Sequence, residues 1–188
     1  ATPNWSIVPP LYLTNVVENL SASGDSIVAY ATPDSYFSTN NGTTWSTVPN
    51  GPAGVFSGNM VAGAGKLFVT TFGDYLYYSV NGGGAWNQIT TGLTSPNINS
   101  ISIDGFKILL GTDDGVFIST NGGGSFSSAG LQNEFINVVH ISGNYLFAYG
   151  PSGLKQSTNS GSSWIPFDPA IPYSDVTEFL VSGNKVFA

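Results

Sequence analysis

The stretch Ser119-Thr120-Asn121-Gly122-Gly123-Gly124-Ser125-Phe126 decides the fold of this chain, because it recurs. Three further segments align with it without gaps and share the pattern S-x-N-x-G-x-x-[WF]: STNNGTTW at 38–45, SVNGGGAW at 79–86 and STNSGSSW at 157–164. Their first residues lie 41, 40 and 38 positions apart, and Trp5 precedes Trp45 by 40, so a fifth copy is entered part-way. A fixed period of about 40 residues predicts a repeat protein in which each period is one structural unit. Each eight-residue segment is called a box below.

The residue types in the boxes predict tight turns. Asn caps a turn with its side-chain oxygen and tolerates the left-handed conformation, while Gly reaches positive φ without a steric penalty. The aromatic residue that ends each box is expected to anchor the turn against the sheet. The box residues predicted to have this structural role are Ser38, Asn40, Gly42, Trp45, Ser79, Asn81, Gly83, Trp86, Ser119, Asn121, Gly123, Phe126, Ser157, Asn159, Gly161 and Trp164.

Between the boxes, short alternating or apolar stretches separated by turn residues predict strands, and no helical period occurs. In the third period the predicted strands are 98–103, 107–111, 115–120 and 125–128. Four strands per 40 residues predict a propeller blade. The first strands, which should line a central channel, are 16–21, 58–61, 98–103, 136–141 and 176–181, and the second strands are 26–31, 66–71, 107–111, 145–149 and 185–188. Their apolar side chains and the box aromatics should form the core between blades.

The prediction is therefore an all-β protein with one domain at 1–188, a propeller of about five four-stranded blades anchored at Trp5, Trp45, Trp86, Phe126 and Trp164. The last blade should be incomplete or closed by the N-terminal strand. Five blades that close imperfectly, association of two copies and a fragment of a larger propeller are all compatible with the pattern. The fragment is favoured, because unpaired strand edges invite further pairing, including self-association.

The pattern resembles the Asp-box, S-x-D-x-G-x-x-W, of the sialidase-like BNR-repeat propellers and of the photosystem assembly-factor-like repeat proteins. The resemblance covers nearly the whole chain, with Asn at the aspartate position in all four boxes and Phe126 in place of one Trp. It implies a β-propeller, commonly secreted, whose boxes are structural. Sialidase-type catalysis in that family uses an arginine cluster, which a chain without arginine cannot build. The assembly factors use a basic patch, for which four lysines are too few.

Composition restricts the partners. Only 8% of the residues are charged, against about 25% in a typical domain, and the net charge is −7. So few cations argue against nucleic acid and anionic membranes as partners. No apolar run approaches the roughly 18 residues of a membrane helix, so no membrane insertion is expected. Few charged residues combined with many Gly, Ser, Thr and Asn residues resemble the composition of a secreted or periplasmic protein. The absence of cysteine excludes disulfides and thiolate metal sites.

Candidate binding residues are expected on the face opposite the boxes. The connections from fourth to first strands carry Tyr12, Phe56, Phe135 and Tyr173, which either contact a glycan or protein or fix the loops to the blades. The connections from second to third strands carry Asp34, Asp74, Asp113 and Asp114. These carboxylates could bind calcium or act as acid and base, but Asp is also a preferred turn residue, and the turn interpretation is favoured.

The sequence gives little support for other kinds of catalytic site. The one histidine, His140, lies mid-strand, where a channel or core position is favoured over a general base, and the Gly-Gly-Gly runs lack the lysine and helix of a phosphate-binding loop. No metal, cofactor or catalytic residue is predicted. Two hypotheses remain: a non-catalytic secreted propeller that binds or scaffolds a glycan or protein partner, and a fragment of a glycoside hydrolase with acidic catalytic residues on the loop face.

Overall fold

The computed structural model describes residues 17–31, 34–48, 59–71, 73–167, 180–182 and 185–187. Every regular element within these ranges is a strand, as the repeat pattern predicts. The strands form four antiparallel sheets of four strands and one sheet of two, and each sheet pairs its strands in the order of the sequence. The all-β propeller prediction is confirmed. Trp5 lies outside the described residues.

The four complete sheets are called blades 1 to 4. Blade 1 consists of β1 (Val17–Ser23), β2 (Ser26–Ala31), β3 (Ser35–Ser38) and β4 (Ser46–Val48). Blade 2 consists of β5 (Met60–Gly63), β6 (Lys66–Thr70), β7 (Leu76–Ser79) and β8 (Asn87–Ile89). Blade 3 consists of β9 (Ile98–Asp104), β10 (Lys107–Thr112), β11 (Gly115–Ser119) and β12 (Ser127–Ser128). Blade 4 consists of β13 (Val138–Ser142), β14 (Tyr145–Gly150), β15 (Gly153–Ser157) and β16 (Ile165–Pro166), and β17 (Leu180–Ser182) pairs with β18 (Lys185–Phe187).

Several strands begin about two residues later than the pattern predicts, with β13 beginning at Val138 and β12 at Ser127. The residues just before these two strands bond to other parts of the chain. The Ile136 N–H donates to Thr112 O of β10 at 2.9 Å, and the Phe126 N–H donates to Thr91 O, after β8, at 3.1 Å.

The core lies between successive blades, where the predicted strand sets place their apolar side chains. Each interface combines apolar residues of two successive blades, with Trp86, Phe126 and Trp164 in the first, second and third interface, respectively. The buried residues are Val28, Tyr30, Val48, Met60, Ala62, Leu67 and Val69 between blades 1 and 2; Phe68, Leu76, Ile89, Leu93, Ile98, Ile108, Leu110, Phe117 and Phe126 between blades 2 and 3; and Leu109, Val116, Ile118, Ala129, Ile136, Val139, Ile141, Leu146 and Ala148 between blades 3 and 4. Each of these three aromatics therefore packs toward the preceding blade.

The inner edge of β13 is satisfied by side chains of the preceding blade. The Val139 N–H donates to Ser100 Oγ at 3.1 Å, and the Ile141 N–H donates to Ser102 Oγ at 3.0 Å. An edge strand otherwise leaves such donors without partners inside the protein. The two serines of β9 thus fix blade 4 against blade 3 at its innermost strand.

Each box forms the turn between the third and fourth strands of its blade. The bonds of the serine hydroxyl and of the asparagine oxygen recur in all four boxes, and the bond donated by the asparagine amide recurs in the boxes of blades 1, 3 and 4. In blade 3 the buried Ser119 hydroxyl donates to Asn121 Oδ1 at 2.8 Å and accepts from the Gly123 N–H at 3.0 Å. Asn121 Oδ1 also accepts from the Ser125 N–H at 3.0 Å, and Asn121 Nδ2 donates to the Ser125 hydroxyl at 3.1 Å. An aspartate carboxylate oxygen could accept the same two hydrogen bonds as Asn121 Oδ1. Asparagine therefore preserves the turn at the aspartate position of the pattern.

Backbone angles explain the glycine at the fifth position of every box. The fourth and fifth residues both have positive φ, between 55° and 67° for the fourth and between 78° and 90° for the fifth. Space is restricted as well: a Cβ on Gly83 would lie 2.3 Å from Val48 Cγ1, and one on Gly161 would lie 2.4 Å from Ala129 O. In blades 2 to 4 the box glycine is therefore a point at which the blade touches the one before it.

Gly161→Ala is expected to destabilise the protein more than Gly73→Ala, which is its matched control. The two residues have nearly equal φ, 87° and 84°, so both variants carry the same backbone strain of about 1 kcal/mol. A Cβ on Gly73 meets no atom within 4 Å, whereas the contact with Ala129 O adds about 1–3 kcal/mol of overpacking. Urea unfolding measures the free energies of unfolding. Equal losses in the two variants would refute the close contact between blades.

Ser119→Ala is expected to lower the free energy of unfolding by about 1–3 kcal/mol, because it leaves the buried Gly123 N–H without its acceptor. Ser127→Ala, at an exposed position of β12, should change it by less than about 0.5 kcal/mol. Asn121→Asp should be nearly neutral at pH 7, because a carboxylate oxygen accepts the same two hydrogen bonds. Thermal and urea unfolding of the three variants test the role of the hydroxyl. A neutral Ser119→Ala would show that the turn does not depend on it.

Candidate functional site

The turns of each blade divide between two faces. The box turn lies beside the turn between the first and second strands, since the Asn41 N–H donates to Asp25 O at 2.9 Å and the Gly122 N–H donates to Phe106 O at 2.9 Å. These turns form the box face. The connections between second and third strands and those between successive blades lie at the other strand ends and form the loop face, where the sequence predicts binding residues.

The structure describes some of the predicted site residues and not others. Tyr12, Phe56 and Tyr173 lie outside the described residues, so their position stays a prediction. Phe135 is 44% exposed in the loop between blades 3 and 4. Asp34 and Asp74 are exposed, and Asp114 is half-buried.

Asp113 and Asp114 bind the loops on both sides of them. Asp113 Oδ1 accepts a hydrogen bond from Asn99 Nδ2 at 2.9 Å, and its Oδ2 accepts one from the side-chain amide of Asn97. Asp114 Oδ1 accepts from the Asn133 N–H at 2.9 Å, and its Oδ2 accepts from the Thr94 hydroxyl at 3.2 Å. Asp113 and Asp114 thus bond to residues before and after blade 3.

Beside Phe135, Glu134 forms an ion pair that the sequence analysis does not identify. Lys155 Nζ lies 2.7 Å from Glu134 Oε1, and the Ser152 hydroxyl also donates to the carboxylate. Partial burial by itself raises the pKa of Glu134, but the hydrogen bonds from Lys155 and Ser152 and the charge of Lys155 outweigh it, so the pKa lies below its ordinary value. The only signal in the sequence is the position of Glu134 next to Phe135. Its partner Lys155 lies 21 residues further along the chain, where no local pattern connects the two.

Asp74 interacts with a tyrosine of its own blade. Burial raises the pKa of the Tyr77 phenol, and the charge of Asp74 and a hydrogen bond to it raise the pKa further. The Gln88 amide donates to Asp74 O at 2.8 Å. Tyr77 therefore stays protonated at neutral pH and can donate a hydrogen bond, but it is not poised as a nucleophile.

Backbone strain occurs in the same loops. Tyr75, Leu131 and Asn133 have φ of 64°, 56° and 63°, values that L-residues with large side chains rarely adopt. The Glu134 N–H donates to Leu131 O at 3.1 Å, and the Glu134 carbonyl accepts from the Gly115 N–H at 2.8 Å. Such conformations persist where the surroundings fix them, and they are common at binding sites. The loop 130–135 is thus held in one shape, with Phe135 at its exposed end.

His140 lies in β13 and is half-buried. Its neighbours Val139 and Ile141 pack toward blade 3, so His140 lies on the other side of the sheet with Val138. Among the described residues, no group of three or more His, Asp or Glu side chains comes together in a way that could hold a metal ion. The described part of the chain also contains no helix that could span a bilayer.

The loop face between blades 3 and 4 thus combines an exposed aromatic ring with amide, hydroxyl and carboxylate groups on a fixed backbone. Most of the carboxylate oxygens of Asp113, Asp114 and Glu134 already accept hydrogen bonds from neighbouring strand and loop residues. This arrangement is chemically suited to contact a neutral polar ligand through ring stacking and hydrogen bonds.

Known proteins that are similar to this chain in sequence or structure include β-propellers. No family model matches the chain. A xyloglucanase of Paenibacillus sp. is 32% identical over 142 residues, which are 68% of this chain. The chain spans only 14% of that relative's length.

Two solved structures illustrate the likeness in fold. YCF48 bound to D1 peptide superposes with a TM-score of 0.56 at 16% identity, over 89% of this chain and 57% of the other. The GH74 xyloglucanase from Xanthomonas campestris superposes with a TM-score of 0.56 at 11% identity, over 87% of this chain and 32% of the other. The chain is therefore a β-propeller similar in sequence to part of a glycoside hydrolase.

The Glu134–Lys155 pair predicts an acid-dependent loss of stability. Because the pKa of Glu134 is lower in the folded state, the unfolded chain binds more protons in that range, and the pair stabilises the fold above the unfolded value of about 4.3. That stabilisation is lost as the pH falls through the folded pKa. Urea unfolding from pH 7 to pH 3 should show Glu134→Gln less stable than the native protein at pH 7, with the difference shrinking in acid. Lys155→Met should behave alike, and a pH-independent difference would contradict the assignment.

Proposed function

We propose that this chain is a non-catalytic propeller module whose loop face binds a neutral β-glucan of the xyloglucan class outside the cytoplasm. The observation that carries the proposal is the 32% identity to a xyloglucanase over 142 residues, a span longer than three repeats. Xyloglucan is a neutral polysaccharide, so a binding surface for it needs rings and hydrogen-bonding groups and no cationic clamp. The low charge of the chain and its lack of arginine fit such a ligand.

The geometry of the loop face supports recognition by stacking. Phe135 exposes its ring at the end of a loop held by Glu134 and by the positive-φ residues Leu131 and Asn133. A rigid loop loses little conformational freedom when a ligand binds, which favours affinity. The side chains of Asn97, Asn99 and Thr94 surround the two carboxylates nearby and supply further polar groups.

The non-catalytic part of the proposal rests on how the carboxylates are used. Glycoside hydrolysis needs two carboxyl groups free to act on the glycosidic bond. Asp113, Asp114 and Glu134 instead accept hydrogen bonds from neighbouring strand and loop residues on most of their oxygens. Their arrangement favours a structural role in shaping the surface.

The second candidate is a part of a glycoside hydrolase in which Asp74 or Asp114 takes part in catalysis. The name of the Paenibacillus relative favours it. Release of reducing ends from xyloglucan separates the two: binding without turnover supports the binding module, and turnover that Asp74→Asn or Asp114→Asn abolishes supports the hydrolase.

Phe135→Ala is expected to weaken binding of xyloglucan oligosaccharides about 3- to 10-fold, because an aromatic contact is worth about 0.5–1.5 kcal/mol. Isothermal titration calorimetry of the full chain measures the affinity. Phe106→Ala is the matched control, since Phe106 is also an exposed phenylalanine but lies on the box face, and its loss should leave affinity unchanged. Equal affinity of the Phe135 variant and the native protein, or no binding at all by the native protein, would refute the proposal.

A further inference from the structure

A pocket of about 250 Å³ opens on the box face between blades 1 and 2, on the side of the protein away from Phe135. Its walls come from the second and third strands of blade 1, the first and second strands of blade 2, and both boxes. The lining includes Ser26, Phe37, Ala62, Leu67 and Gly82. Lys66 also lines the pocket, but its ammonium lies on the other side of blade 2. The exposed surface of the pocket is mainly apolar.

The next interface along the chain shows what occupies the corresponding place between blades 2 and 3. Lys66, the first residue of β6, extends toward blade 3, where its Nζ donates to Gly122 O in the box at 2.7 Å. The same Nζ lies 4.7 Å from the centre of the Tyr78 ring. An ammonium over an aromatic face and against a backbone carbonyl satisfies both its charge and its hydrogen bonds.

Aligning the repeats shows which residues between blades 1 and 2 are equivalent to Lys66, Tyr78 and Gly122. Ser26 is the first residue of β2, as Lys66 is of β6, and Phe37 takes the place of Tyr78 in the third strand. Gly82 takes the place of Gly122, as the fourth residue of its box. An aromatic residue and the box carbonyl are therefore retained, while the lysine is replaced by a side chain too short to cross the interface. The Phe37 ring packs directly against Gly82, closer to its box than the Tyr78 ring is to Gly122.

A second replacement enlarges the same space. Ala62 in β5 stands where blade 3 has Ile103, because both directly precede the last residue of the first strand and both face the preceding blade. The pocket thus follows from two losses of volume, Ser26 for Lys66 and Ala62 for Ile103. No donor among the described residues reaches Gly82 O, whereas Gly122 O has the ammonium of Lys66.

We propose that this pocket binds a primary ammonium group carried on an alkyl chain, the chemistry shared by a lysine side chain of a partner protein and by a free aliphatic diamine. The ammonium donates to Gly82 O and lies against the Phe37 ring, and the methylene groups contact Ala62 and Leu67. The net charge of −7 attracts cations. Asp25, which precedes Ser26 in the chain, accepts a hydrogen bond from Asn41 Nδ2 at 2.8 Å.

Titration with 1,5-diaminopentane tests the site, followed by the NMR shifts of the Gly82 and Leu67 amides. Saturable shifts are expected with the diamine, and 1-pentanol, which has the same alkyl chain without the charge, should bind at least tenfold more weakly. N-acetyl-lysine methylamide and a lysine-containing tripeptide represent the protein source. Tighter binding of the diamine assigns the site to free amines, and tighter binding of the lysyl probes assigns it to a protein. No saturable shift with any amine overturns the proposal.

Ser26→Lys should restore the side chain that the interface lacks and lower the affinity for the amine at least tenfold. Ser127→Lys makes the same change of charge at an exposed position outside the pocket and should alter affinity by less than twofold. Phe37→Leu keeps an apolar residue and should weaken binding about two- to fivefold by removing the ring. If Ser26→Lys and Ser127→Lys weaken binding equally, the amine is attracted by overall charge and the pocket is not its site.

Discussion

The fold depends on the contact between each box turn and the blade before it. Two consecutive residues with positive φ bring the backbone of the turn so close to the preceding blade that a methyl group at Gly83 or Gly161 has no room. A serine hydroxyl and an asparagine oxygen hold the turn in this shape from within. Because the box aromatic packs at the same interface, one eight-residue segment both closes its own sheet and joins that sheet to its neighbour.

Much of this architecture follows from the sequence. The spacing of the boxes predicts the blades, and the alternation between them predicts the strands to within about two residues. The errors lie at strand ends: the pattern predicts Phe126 and Ile136 inside strands, but their N–H groups bond to other parts of the chain, and no local pattern reveals such a partner. The local pattern therefore predicts that a strand exists better than it predicts where the strand begins.

The candidate site is less predictable, for a physical reason. Phe135 and Asp114 stand out in the sequence because of their residue types and their places in loops, but the groups that hold them do not. Glu134 meets Lys155, and Asp113 meets Asn97 and Asn99, through contacts that depend on how neighbouring blades set their loops side by side. The pocket at Ser26 is visible only when equivalent positions of two interfaces are compared, because it is defined by a side chain that one repeat has and another lacks.

The box contact also has a direction along the chain. Each blade brings its own turn and aromatic residue to the surface offered by the blade made before it. During synthesis from the N-terminus, a finished blade already presents its receiving surface when the next one emerges, and every new unit arrives equipped to dock.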